Sequence, residues 1–160
     1  AVGALAPPPH RLEPLGFHAA FSGGVPFEVW DNGVSTTPES TVSALESLGG
    51  DGACVLLAGG QAKGELDLGL VTRFASRAGW SVVGFGASGG ELESGATGRT
   101  LPEAVGRAVE LLREGGVLAF SPACASFDSY ANFSERAEAF RSALGQLAAP
   151  TTDDRLLSRD

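Results

Sequence analysis

Hydrophobic and polar positions along this chain switch repeatedly between a two-residue and a helical period, and the switches predict strands and helices in turn. Phe27-Glu28-Val29-Trp30 reads as a strand. From Pro38 to Leu48 a helix follows, with Val42, Leu45 and Leu48 on one stripe, and Gly49-Gly50 stops it. Val55-Leu56-Leu57-Ala58 is a continuous apolar run and reads as a buried strand. Leu70, Val71, Phe74, Ala75 and Ala78 share one helical face between about Leu68 and Ala78, and Ser81-Val82-Val83 returns as a strand. Thr100 and Glu103 form a capping box with Pro102 in the first turn, opening a helix to Arg113 that Gly115-Gly116 terminates. Val117 to Phe120 is the last strand and Asn132 to about Leu147 the last helix. Strands alternating with helices predict an α/β fold with a mostly parallel sheet covered on its faces by helices.

The chain has 160 residues, enough for one well-buried domain and too few for two ordinary ones. Its formal net charge of −8 repels nucleic acid and anionic lipid, and no apolar stretch approaches the roughly 20 residues of a membrane span. Ala1 to Ala6 lacks the basic flank and length of a signal peptide, so the expected location is cytoplasmic. A monomer is also expected. Cys54 and Cys124 are too few for a disulfide framework or a zinc site and read as reduced thiols. With only His10 and His18 available, on a loop-like segment, no metal-ligand cluster is expected. The absence of any Met suggests a processed chain or a piece of a longer protein. Pro7-Pro8-Pro9 marks an extended linker. The expected boundaries are therefore residues 1–8 as linker or the end of a preceding domain, 9–147 as the domain, and 148–160 as a flexible tail.

Four stretches carry candidate chemistry. Pro9-His10-Arg11-Leu12-Glu13 sits at the linker exit. Asp31-Asn32-Gly33-Val34-Ser35-Thr36-Thr37-Pro38-Glu39 joins a strand to a helix, capped either by a Thr36–Glu39 box or by Thr37 with Pro38 at the first helical position. Free amides and hydroxyls at such a terminus can hold a carboxylate or a phosphate. Gly59-Gly60-Gln61-Ala62-Lys63-Gly64 brings the only lysine of the chain to the carboxyl end of a strand, a place suited to an acidic substrate. Ser121-Pro122-Ala123-Cys124-Ala125-Ser126-Phe127-Asp128 leads through small and polar residues to Asn132-Phe133 and Arg136 at the start of a helix. Core packing does not call for that run. A fifth stretch, Gly84-Phe85-Gly86-Ala87-Ser88-Gly89, satisfies the dinucleotide pattern but reads as a decoy. The fingerprint needs a helix opening inside the loop, and Gly90 to Gly98 shows no apolar periodicity. Cys124 lacks a basic neighbour that would make its thiol a nucleophile.

These four stretches, in this order, resemble the C-terminal domain of the Mur ligase family, in its glutamate-adding MurD branch. The matching patterns are PHRxE at Pro9 to Glu13, the NDSxxTxPxST segment at Asp31 to Thr41, the GGxxKG loop at Gly59 to Gly64, and the SPACASFD…NFxxR signature at Ser121 to Arg136. The resemblance covers about residues 9 to 147. It implies a Rossmann-like three-layer domain of an ATP-dependent ligase that adds D-glutamate to UDP-N-acetylmuramoyl-L-alanine. It also implies that Arg11 and Asn32 face the nucleotide. Thr36, Lys63, Ser126, Phe127 and the Phe133 amide would form the glutamate site. No residue here is implied as catalytic or as a metal ligand. No G-x-x-x-x-G-K-[ST] loop occurs, so ATP and Mg would be held mainly by a central ATPase domain, partnered by an N-terminal UDP-binding domain, in a longer parent protein. The sequence departs from the pattern at Asn32, where the family usually has Asp, and at Gly33, where it usually has Ser. These departures keep open a degenerate ligand-binding module, and the local sequence around Val34 keeps open an L-glutamate-adding relative. A stand-alone enzyme using the Gly84 loop is a third alternative.

Overall fold

A computed structural model describes residues 8–50, 52–62, 64, 66–126 and 129–152. The elements run β1 (Glu13–Ala20), β2 (Val25–Asp31), α1 (Pro38–Glu46), β3 (Ala53–Gly59), α2 (Gly69–Ala78), β4 (Trp80–Phe85), α3 (Gly89–Leu92), α4 (Leu101–Leu111), β5 (Glu114–Ala123), α5 (Phe133–Gly145) and β6 (Ala148–Pro150). They build one six-stranded sheet in the order β4-β3-β5-β2-β1-β6. β2, β5, β3 and β4 are mutually parallel, and β1 runs antiparallel to both of its neighbours.

Strand periodicity sorts the core into two layers, because successive side chains point to opposite faces. Val55 and Leu57 of β3, with Phe27, Leu118 and Phe120, pack under α4 and α5. Leu56 and Ala58, one residue out of phase, pack with Val117 and Ala119 against α1, α2 and α3. The ring of Phe120 stacks on Phe140 of α5 at a centroid separation of 4.4 Å and an interplanar angle of 3°. Helices on both faces of a mostly parallel sheet make this the three-layer, Rossmann-like α/β arrangement expected from the sequence.

The helix starts obey their caps. At α1 it is Thr37 that caps, its hydroxyl accepting from the Ser40 amide, with Pro38 in the first turn. At α4 the Thr100–Glu103 box is complete in both directions. Asn132 caps α5 through the Glu135 amide. Gly116 shows why glycine stands near the start of β5: at φ 128° a Cβ there would lie 2.1 Å from the Ala53 carbonyl oxygen of the neighbouring strand.

Three findings correct the sequence reading. His18 lies on β1, a strand rather than a loop. A four-residue helix, α3, opens at Gly89 and buries Leu92, in a stretch expected to carry no helix. Residues 148–150, expected in the tail, pair with His18 to Ala20 as β6.

Candidate functional site

The chain direction within the sheet decides where a site can form. α1 and α2 follow β2 and β3 onto one face, while α5 follows β5 onto the other, and β5 lies between β2 and β3. Crevices therefore open on both sides of the carboxyl end of β5, which is where open α/β sheets bind ligands.

Beyond the carboxyl end of β2, and along α1, lies a cavity of about 560 Å³, whose wall includes Arg11, Asn32, Thr36, Thr37, Ser40 and Ser43. Arg11 is exposed, and its guanidinium has no hydrogen bond or ion pair among the described residues. Thr36 is exposed too. An unengaged cation above a wall of hydroxyls and the first turn of α1 suits an anionic group.

Arg11 is presented by a constrained backbone. Its neighbours His10 and Leu12 both have left-handed φ, 63° and 44°, a conformation that costs a non-glycine residue on the order of 1–3 kcal/mol. Three bonds offset that cost. The His10 amide donates to Glu13 Oε1 at 3.0 Å, the Leu12 amide donates to Asn32 Oδ1 at 3.0 Å, and the Val34 amide donates to the His10 carbonyl at 3.0 Å.

Asn32 is 6% exposed and engaged at both ends of its amide: its oxygen accepts from the Leu12 amide and its Nδ2 donates to Ser121 Oγ at 3.0 Å. Ser121 Oγ in turn lies 2.8 Å from Thr41 Oγ1, so Asn32 ties the linker exit to β5 and α1. Gly33 is equally constrained. A Cβ there would lie 2.8 Å from the Ala137 Cβ and 3.0 Å from Asp31 Oδ1. Asn32 and Gly33 thus each have a structural role in this chain.

Beneath Arg11 lies an ion network that the sequence reading missed. Asp31, fully buried, accepts from Arg141 Nε at 2.9 Å and from the Gly33 amide at 2.8 Å, and its Oδ2 lies 2.7 Å from His10 Nδ1. Arg141 Nη2 also donates to Glu13 Oε1 at 2.8 Å. The His10 amide above all, and then Arg141, hold the Glu13 carboxyl below the usual range. Burial opposes the charge of Arg141, but its bonds to Asp31 and Glu13 outweigh burial and raise its pKa. His10, Glu13 and Asp31 bring ligand atoms within 4.8 Å of one another, so a metal-type cluster does assemble, contrary to expectation. The Arg141 guanidinium already supplies the cation between the two carboxylates, and a metal ion does not fit there.

On the β3 side, the loops after β3 and β5 are joined. Gln61 and Ala125 exchange amide-to-carbonyl bonds of 3.0 and 3.2 Å. Arg136, wholly buried in α5, donates from Nη1 to the Ala125 carbonyl at 2.9 Å and to the Gly59 carbonyl at 3.4 Å. Ser126 is buried beside this clamp, and its carbonyl accepts from Tyr130 at 2.9 Å. Phe133 is half-buried at the first position of α5. Lys63 and Phe127 lie outside the described residues. The structure thus brings Arg11, Asn32 and Thr36 to one cavity, while Ser126 and Phe133 belong to the β5–α5 turn and are not on its wall. The signal for Arg136 and Arg141 was present in the sequence. With Ala137, Phe140 and Leu144 they fall on the apolar stripe of α5, where an arginine must have a buried partner.

The Gly84 loop is closed by its own groups. Glu93 Oε1 accepts from the Gly84 amide at 2.9 Å and pairs with Arg99 Nη1 at 2.5 Å, and the Gly86 and Ser88 amides are given to the Arg99 and Gly60 carbonyls. The Gly84, Gly86 and Ser88 amides are therefore already bonded within the protein. Both cysteines are buried and neither is in a disulfide, and burial pushes up the Cys54 thiol.

No family model matches the chain. Among known proteins it is 40% identical, over 129 residues and 76% of its length, to the UDP-N-acetylmuramoylalanine--D-glutamate ligase of Cupriavidus pinatubonensis. It is 37% identical over 155 residues, 92% of its length, to the ligase of that name from Nitratidesulfovibrio vulgaris. With the one from Aquifex aeolicus it shares 36% over 139 residues, 83% of its length. The chain belongs to the MurD branch of the Mur ligase family. It spans 25 to 34% of the length of these relatives, and corresponds to the C-terminal domain of MurD. Among the described residues no helix is long and apolar enough to cross a membrane.

Proposed function

We propose that this MurD-type domain serves an ATP-dependent amide ligase, adding D-glutamate to UDP-N-acetylmuramoyl-L-alanine in peptidoglycan synthesis. The observation that carries the reading is the pairing of kinship with an open site: the unengaged Arg11 guanidinium stands over a hydroxyl-lined cavity at the carboxyl end of the sheet. In the longer cytoplasmic, monomeric parent, a central ATPase domain and an N-terminal UDP-binding domain would complete the enzyme.

Arg11 binds and orients nucleotide phosphate. Asn32 contributes by holding Leu12, since its own oxygen is engaged there. Thr36, Lys63, Ser126 and the Phe133 amide fix the two glutamate carboxylates, with Phe127 lining the pocket, and so aim the amine at the carboxyl group it attacks. Contribution by positioning of this kind can be large, because it converts an encounter into an oriented contact. ATP, when bound, would supply the phosphoryl group that activates the carboxylate of the muramoyl-alanine substrate, giving the glutamate amine a phosphate to displace. The His10, Glu13 and Asp31 cluster does not fit magnesium, since the Arg141 guanidinium already lies between its carboxylates, and Mg would be held mainly by the central domain.

The test is an assay of the full-length protein with ATP, UDP-N-acetylmuramoyl-L-alanine and each glutamate enantiomer. Amide product formed preferentially from D-glutamate is expected. No product with either enantiomer overturns the reading, and a preference for L-glutamate overturns the substrate assignment while leaving the ligase class.

A further inference from the structure

We infer that Arg141, through its shared contacts with Asp31 and Glu13, is a positioning residue that fixes Arg11 in its binding pose. Arg141 lies on α5, 130 positions from Arg11 in sequence, yet it holds both sides of the segment that carries Arg11. Glu13 follows Arg11 by two residues and receives both the His10 amide and Arg141 Nη2 on one oxygen. Asp31 precedes Asn32 and receives Arg141 Nε on the oxygen that also faces His10 Nδ1. The guanidinium fork therefore bridges the strands at the point where Glu13 and Asp31 pair across β1 and β2.

That geometry explains how two left-handed non-glycine residues persist on either side of Arg11. Without the cation, Asp31 and Glu13 repel one another, the His10 anchor loosens, and the chain from Pro9 to Leu12 relaxes to ordinary φ values. Arg11 would then swing away from the cavity. Of the glutamate-facing elements, only Thr36 shares the β2–α1 loop with this network; Arg136 and the Gln61–Ala125 pairing hold the loops after β3 and β5 separately.

The inference rests on the ligase reading for its kinetic consequence but not for its structural one, and the test has an arm for each. Amide hydrogen exchange is measured on the 160-residue chain as wild type, Arg141→Gln, Arg141→Lys and Glu13→Gln. The expected result is a tenfold or greater loss of protection at the Leu12 and Val34 amides in Arg141→Gln, with the Leu56 core amide changed far less. Arg141→Lys and Glu13→Gln should show smaller losses at the same two amides. In the full-length enzyme, Arg141→Gln should raise the ATP KM about fivefold or more, with the glutamate KM moving less than twofold and Arg141→Lys recovering part of the loss. Unchanged protection at Leu12 and Val34 in both Arg141→Gln and Glu13→Gln overturns the inference, as does an equal rise in both KM values. Should Arg141→Gln not fold, Glu13→Gln decides by the same two readouts. A wild-type enzyme without ligase activity sinks the ligase reading alone, since the exchange arm still decides the positioning role.

Discussion

Two loops at the carboxyl edge of the sheet look alike in sequence and differ in what their polar groups are doing. The β2–α1 loop, with the linker exit beside it, leaves the Arg11 guanidinium and Thr36 exposed at a cavity. The loop after β4 has the glycines of a nucleotide fingerprint, yet its amides are bonded to Glu93, Arg99 and Gly60. It lines a cavity as well, of about 410 Å³, but the Arg99 cation facing it is already paired with Glu93. Glycine spacing reports what backbone conformations a loop can adopt. Whether a ligand is needed there depends on which donors and charges remain without a partner after folding.

The sharpest way to break this comparison is to remove the cation on each side in the full-length enzyme. Arg11→Ala deletes a charge-assisted contact, typically worth about 1.5–3 kcal/mol, so the ATP KM should rise roughly tenfold or more. The melting temperature should stay nearly unchanged, because Arg11 has no partner among the described residues to lose. A shifted melting temperature with an unmoved KM would make Arg11 structural.

Arg99→Ala should do the reverse. It leaves the partly buried Glu93 carboxylate without its cation and should cost about 1–2 kcal/mol of stability, read by denaturant titration, while the ATP and glutamate KM values hold within twofold. A tenfold kinetic effect without destabilisation would return the Gly84 loop to the list of sites.

A smaller effect separates the network side from solvent. Burial pushes the His18 imidazole below its ordinary value, against a weaker bond to the Gly16 carbonyl. The unfolded chain then takes up a proton near pH 6.5 that the folded chain refuses until lower pH. Stability should therefore fall as the pH drops from about 6.5, by roughly 1 kcal/mol or less over the first unit, and His18→Phe should flatten that slope. Equal slopes in wild type and variant would show that His18 does not titrate on unfolding.

Most of the layered architecture was legible because it rests on local rules: apolar runs for the parallel strands, and Thr37, Thr100 and Asn132 for the helix starts. The stops were less so, since α1 and α4 end at Glu46 and Leu111, ahead of their glycine pairs, and Gly115-Gly116 already belong to β5. β1 was not legible, since Glu13-Pro14-Leu15-Gly16 carries two strand-breaking residues and the pairing shifts register between Pro14 and Gly16. The three-residue β6 exists only because β1 is there to pair with. At the site, motif order was enough to nominate Arg11, Asn32 and Thr36 but could not reveal that the oxygen of Asn32 is spent on Leu12. The His10–Asp31–Glu13–Arg141 network joins positions far apart in the chain, so only the fold exposes it. The fully buried Arg136 was similarly hidden, although an arginine on an apolar helical stripe was a readable hint.

The most direct measurement of the central claim is a residue-resolved NMR titration of the 160-residue chain with ATP at millimolar concentration, where a contact worth about 4 kcal/mol would be visible. The expected result is shifts at the amides of Leu12, Asn32, residues 34–37, Glu39 and Ser40, with residues 84–98 unmoved. Shifts centred on Gly84 to Gly98, with the Arg11 side silent, would contradict it.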